Sequence, residues 1–264
     1  MGASTASKAT NTKANAAGKT PESLQLMLSV FFSDGNKGGV GKSFFSRALY
    51  DYLITIGQPT VGVEADMNSP DFSGVVKDTE CIEFSDDQEK IDDPNLLFDI
   101  LTEDNSHAVV NLEAGCHNAL KRWIDTFDAP TLLAQHDRRM VKFFVTSGEY
   151  DSLQSLKISL TELGDQVPHI VVKNRKYSDW DYYEENEEIQ GLIKQYKCPV
   201  IELPKMPTRI ASFLLQKRMS LAEATTYKGD RSMGERFGIG DQACVSKFRR
   251  DFAAQMDRVW GQLK

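Results

Sequence analysis

The stretch DGNKGGVGKSFF, residues 34–45, constrains the fold more than any other part of this 264-residue chain. It reads over Gly35 to Ser43 as a phosphate-binding loop of the G-x-x-x-x-G-K-[ST] type, with Lys42 placed for the β- and γ-phosphates of a nucleotide and Lys37 as a second, additional cation. Such a loop means little unless a strand enters it and a helix leaves it. The apolar run LQLMLSVFFS, residues 24–33, supplies the strand. Beyond Lys42, apolar residues recur at Phe45, Ala48, Leu49, Tyr52, Leu53 and Ile56, one face of a helix that Gly57 is placed to stop. Glycines let the chain turn its N–H groups inward around an anion, and the helix N-terminus adds partial positive charge at the same point.

The rest of the chain alternates in the same way. Strands are predicted at Thr60 to Glu64, His107 to Leu112, Met140 to Thr146, His169 to Lys173 and Pro199 to Leu203, with helical patterns such as Asp151 to Leu163 and Tyr182 to Tyr196 between them. Strands spaced by helices imply an α/β fold, a mostly parallel sheet flanked by helices on both faces. The acidic segment Lys77 to Asp104 is weakly periodic and reads as a solvated connection, with a partner surface as the alternative. The final stripe Val245, Phe248, Phe252, Met256, Val259, Trp260 and Leu263 fits a helix packed on the sheet better than one lying on a membrane.

With 41% apolar residues the chain can bury one substantial core. The expected organisation is a disordered tail over residues 1–22, poor in large apolar side chains, followed by a single domain over residues 23–264. No apolar run reaches membrane-spanning length, and the tail lacks the apolar segment of a secretory signal, so membrane association is not expected and the cytoplasm is the expected location. Cys81, Cys116, Cys198 and Cys244 lack the spacing of a zinc site, an iron–sulfur site or a redox pair.

The element KGGVGKS, with a lysine ahead of the glycine pair, resembles the deviant Walker A motif of the ParA/MinD family of dimerising P-loop ATPases, in particular plasmid-borne members tied to partition, stability or conjugative transfer. The similarity extends through VGVEADMNSPDFSG, HAVVNLEAG, VTSGEYDSLQSL, IVVKNRK and VIELPKM. It implies ATP and Mg²⁺ as ligands and a homodimer in the ATP state. By that resemblance Lys37 reaches across the dimer to the partner's nucleotide, while Gly38, Gly39, Val40, Gly41, Lys42, Ser43 and Phe44 cradle the chain's own. Ser43 and Asp66 would serve the metal, and Asp66 would position the attacking water. Phe44 replaces a hydroxyl common in relatives. In the second switch Asn111 stands where an aspartate is usual, Glu113 lies close enough to restore a carboxylate, and Gly115 matches the glycine that senses the γ-phosphate. Asn174 corresponds to the adenine contact, although an asparagine ending a strand is also an ordinary turn residue, and Pro204 would shape the base pocket.

Charge is unevenly distributed. The net charge is −7, yet residues 205–264 hold twelve Lys or Arg against six Asp or Glu. A basic surface that includes Arg218, Lys247, Arg249 and Arg250 could bind DNA without sequence preference, or be only a solvated face. The expected function is an ATP-dependent dimer switch, with slow hydrolysis, that positions a cargo such as plasmid DNA and meets a plasmid-encoded protein partner. A small-molecule enzyme similar to dethiobiotin synthetase and a nucleotide-binding relative without hydrolysis are the alternatives.

Overall fold

The computed structural model describes residues 26–35, 38–230, 232 and 234–260. The expected tail, Lys37 and Leu263 lie outside them. Strands β1 (Ser29–Asp34), β2 (Thr60–Ala65), β3 (Glu80–Cys81), β4 (His107–Leu112), β5 (Arg139–Thr146), β6 (His169–Asn174) and β7 (Val200–Leu203) form one sheet in the order β3-β2-β4-β1-β5-β6-β7. Every pairing is parallel. Strand β1 therefore lies between β4 and β5, and its C-terminal end delivers the glycine loop to the middle of the sheet edge where α/β folds bind ligands.

Both faces of the sheet are covered, as parallel pairing requires. Successive side chains of a strand point to opposite faces, so the neighbours Phe31 and Phe32 enter different cores. Phe31 packs with Phe45, Phe143, Phe252 and Trp260, under α1 (Lys42–Thr55) and α10 (Ile239–Trp260). Phe32 packs with Leu97, Leu120, Trp123 and Ile124, under α2 (Leu96–Thr102) and α3 (His117–Phe127). The apolar stripe of α10 is buried in the first core from Val245 to Trp260, the packed-helix arrangement expected from its sequence.

Two expectations need correction. The segment Lys77 to Asp104 is more than a solvated connection: it carries the edge strand β3 and helix α2, whose Leu97, Ile100 and Leu101 are buried. Helix α2 is too short to give a periodic signal among acidic neighbours. The helix expected over Tyr182 to Tyr196 is divided into α6 (Asp181–Glu185) and α7 (Glu187–Gln195). Asn186 divides them because its side chain accepts the Ile189 N–H at 3.0 Å, capping α7 instead of continuing α6. Helix α4 (Ala129–Gln135), the long α5 (Tyr150–Leu163), α8 (Thr208–Gln216) and α9 (Leu221–Ala224) complete the layers.

Candidate nucleotide site

The loop between β1 and α1 is shaped by close approaches only glycine allows. A Cβ on Gly35 would lie 2.5 Å from the Val145 carbonyl oxygen, and one on Gly41 would lie 2.5 Å from Asn174 Nδ2. Gly41 also caps α1 in the left-handed region, at φ 109°, with no side chain satisfying the first N–H groups of the helix. Counted strictly, the first glycine of the G-x-x-x-x-G spacing falls on Asn36, so Gly35 serves strand-to-loop clearance one residue earlier. Side chains from the β6–α6 connection hold the loop. Asn174 Nδ2 donates to the Val40 carbonyl at 2.7 Å, and the Tyr177 hydroxyl donates to that of Gly39 at 3.2 Å. Lys42 is buried in the loop.

Next to the loop is a cleft of about 370 Å³ lined by Gly38, Gly39, Gly41, Lys42, Ser43 and Phe44, and by Arg47, Asp66, Asn68, Ser69, Asp71, Glu113 and Ala114. Of the residues singled out from sequence, the fold thus gathers the phosphate loop, Asp66 and Glu113. Asp66 Oδ1 accepts the Ser69 N–H at 2.9 Å, which fixes the turn after β2. Asn68 Nδ2 donates to Glu113, so the connections after β2 and β4 touch across the cleft. Uncapped N–H groups and a buried lysine suit a phosphate. The Ser43 hydroxyl and the Asp66 carboxylate suit a hard divalent cation that takes its remaining oxygens from phosphate and water. Among the described residues, no group of three or more His, Cys, Asp or Glu forms a protein-only metal cage.

Asn111, fully buried on β4, stands behind Ser43 in a chain of polar contacts. Its Nδ2 donates to Glu64 Oε1 at 2.7 Å and lies 3.4 Å from Ser43 Oγ, while its Oδ1 accepts from Ser46 Oγ at 3.2 Å. In this orientation the amide presents donors toward Ser43. Glu64 also accepts the N–H groups of Asp66, Phe72 and Ser73 at 3.0–3.2 Å. Burial raises its pKa, and those hydrogen bonds, Asn111 foremost, oppose the rise.

The other predicted residues are placed differently. Asn174 spends its amide on the loop backbone and on the Lys176 N–H, which its Oδ1 accepts at 3.0 Å. Pro204 follows β7 and, like Asn174, does not line the cleft. Phe44 turns its ring onto Phe248, with centroids 5.2 Å apart. Gly115, at φ 88°, lines a separate cavity of about 200 Å³ with Asp34, His117, Asn118 and Phe144. Beside it Lys142, fully buried on β5, pairs with Asp34 at 2.7 Å. Burial would raise the Asp34 pKa, but Lys142 and the Gly35 N–H hold it below the usual carboxylate range.

Much of the C-terminal basic charge is internally paired. Arg249 bonds Asp51 at 2.7 Å and Thr55 at 2.8 Å, tying α10 to α1. Lys247 pairs with Asp251, Arg209 with Asp241 and Lys217 with Glu235. Arg218 and Arg250 are exposed. The sequence reading missed Arg47, which sits in the cleft wall one turn into α1. A single arginine on an amphipathic helix gives no signal by which to find it.

The all-parallel sheet with the glycine loop after its central strand matches the MinD-type P-loop fold. The MinD cell division protein of Aquifex aeolicus superposes on this chain with a TM-score of 0.51 at 12% identity, covering 87% of this chain and 96% of that one. Protein MobD of Acidithiobacillus ferrooxidans is 26% identical over 242 residues, spanning 89% of this chain and 99% of the relative. No family model matches the chain. The resemblance to the ParA/MinD group read from KGGVGKS therefore holds for the whole fold. No helix among the described residues is long and apolar enough to cross a membrane.

Proposed function

We propose that this protein is an ATP-dependent dimerising switch that hydrolyses ATP slowly and positions a cargo such as plasmid DNA in partition, stability or conjugative transfer. The observation that carries the reading is the convergence of the glycine loop, Lys42, Ser43 and Asp66 on one cleft. Lys42 and the loop N–H groups hold the β- and γ-phosphates of ATP. Ser43 and Asp66 hold Mg²⁺, whose chemistry is to neutralise charge between the terminal phosphates. Asp66 also orients the attacking water. Lys37 extends to the nucleotide of a second copy, so that ATP joins two subunits, with charge-assisted hydrogen bonds made at a water-poor interface. Asn174 and Pro204 flank the base from the β6 and β7 ends.

Hydrolysis is slow because the amide of Asn111 replaces a carboxylate beside Ser43. The same contact favours, as a second reading, a nucleotide-binding protein without turnover. A small-molecule enzyme finds less support. An apolar cleft of about 330 Å³ does adjoin the site, sharing Phe44 and Arg47 with it. However, two of its three acids, Asp51 and Glu223, are engaged with Arg249 and with the Ser220 cap, which leaves Asp78 as its one carboxylate for such chemistry. For DNA, the proposed contacts are the exposed Arg218 and Arg250, with Lys247 and Arg249 first having to leave their partners. Location in the cytoplasm and a plasmid-encoded protein partner belong to the same proposal.

Equilibrium titration with ADP and ATP tests the site. Lys42→Ala should weaken both roughly tenfold to a hundredfold, the effect of losing a charge-assisted phosphate contact. Unchanged affinity would contradict the assignment.

A further inference from the structure

Arg47 is held in the cleft wall in a way that leaves its terminal nitrogens unused. Its Nε donates to the Ser43 carbonyl at 3.2 Å, one helical turn back, and its guanidinium carbon lies 5.4 Å from the centre of the Phe44 ring. Those two contacts fix the plane of the guanidinium. They leave both terminal nitrogens without a hydrogen bond among the described residues, and no ion pair there includes Arg47. Asp71, across the cleft, is the acidic group whose charge acts on it; burial lowers the Arg47 pKa and Asp71 opposes that. The residue is partly buried, so water does not fully replace the missing partners.

A pre-positioned guanidinium fork with both terminal nitrogens free to donate, facing a loop built for an anion, is suited to phosphate. The neighbouring side chain cannot supply a polar contact, because Phe44 is packed on Phe248. We infer that Arg47 is a nucleotide-binding residue, its terminal nitrogens donating to a phosphate oxygen of the nucleoside di- or triphosphate held by the glycine loop. The inference rests on the site being a nucleotide site. It adds a cis cation on α1 to Lys42, placed from the helix side of the loop. Arg47 also lines the apolar cleft beyond, so it stands between the two.

The test compares ADP affinity by isothermal titration for the intact chain, Arg47→Gln, Arg47→Lys and Lys42→Ala, together with the thermal midpoint of each protein free of nucleotide. Arg47→Gln should bind ADP roughly tenfold to a hundredfold more weakly, with an unchanged midpoint. Arg47→Lys, which keeps the charge but not the fork, should fall between. If Lys42→Ala loses affinity while Arg47→Gln and Arg47→Lys bind ADP as the intact chain does, Arg47 is not a phosphate ligand and this inference alone is overturned. A lowered midpoint with unchanged ADP affinity would likewise make Arg47 purely structural. Should Lys42→Ala also bind normally, the nucleotide-site reading itself is wrong. Where Arg47→Gln does not fold, the lysine variant decides by the same criterion.

Discussion

The contact between Glu64 and Asn111 ties the neighbouring strands β2 and β4 together by their side chains at the end that meets the glycine loop. Restoring an aspartate at 111 therefore does not simply restore a missing acid. It would set a second carboxylate 2.7 Å from Glu64 Oε1, in a fully buried position, where an amide now donates. Asn111→Asp should destabilise the protein by about 2 kcal/mol or more at neutral pH in the absence of metal, because a hydrogen bond to a charged group is replaced by like-charge contact. Adding Glu64→Gln should recover most of the loss by exchanging donor and acceptor, a coupling that urea unfolding of the four proteins measures as a double-mutant cycle. Equal stability of Asn111→Asp and the parent would show that the contact is not maintained in solution. Which residues entered the cleft was only partly legible in sequence. Lys42 and Ser43 follow from fixed offsets along a strand–loop–helix unit, and Asp66 from the family resemblance after the second strand. Arg47 depends on a side chain folding back over Phe44, and the use of Asn174 as a brace for the loop depends on β6 lying beside it; neither leaves a sequence signal.

Two strands of the inner sheet begin with buried histidines whose surroundings suit only the neutral ring. At the start of β4, His107 Nδ1 accepts the Ser29 N–H at 3.1 Å, so a proton there would face another donor. Burial, followed by the charge of Arg139, pushes its pKa down to about 4. At the start of β6, His169 donates from Nδ1 to the Val167 carbonyl at 2.7 Å and meets Ser159 Oγ with Nε2 at 2.8 Å. Burial and then Lys142 push it down to about 3. Both values lie below the 6.5 of an unfolded histidine, so the unfolded chain binds more protons as pH falls through 6.5. Folding stability should then drop by about 2 kcal/mol per histidine between pH 7 and pH 5. His107→Gln and His169→Gln should each remove about half of that dependence in urea unfolding, whereas an identical pH profile in the variants would refute the assignment. At this scale the sequence was most readable where elements are long and apolar. Helices α1, α5 and α10 and six of the seven strands were expected. The short α2, the edge strand β3 and the break at Asn186 were missed, because two turns or two residues give no period to detect, and a cap depends on where the side chain turns.

For the molecule as a whole, charge and shape separate the possible partners. The excess of basic residues after residue 204 looked like one surface, but Arg209, Lys217, Lys247 and Arg249 are each turned toward an acid, an arrangement composition cannot reveal. What survives from the sequence at this scale is the loop at the central strand, and with it Lys37, the extra lysine ahead of its glycine pair. In the proposed switch, that lysine joins two subunits through their nucleotides. Sedimentation velocity of the 29.6 kDa chain with Mg²⁺ and no nucleotide, ADP or ATP measures this directly, run alongside Lys37→Ala. The account predicts a monomer without nucleotide and with ADP, a species of twice the mass with ATP, and a Lys37→Ala protein that binds ATP yet stays monomeric. The same distribution of species under all three conditions, or an ATP dimer that persists in Lys37→Ala, would contradict it.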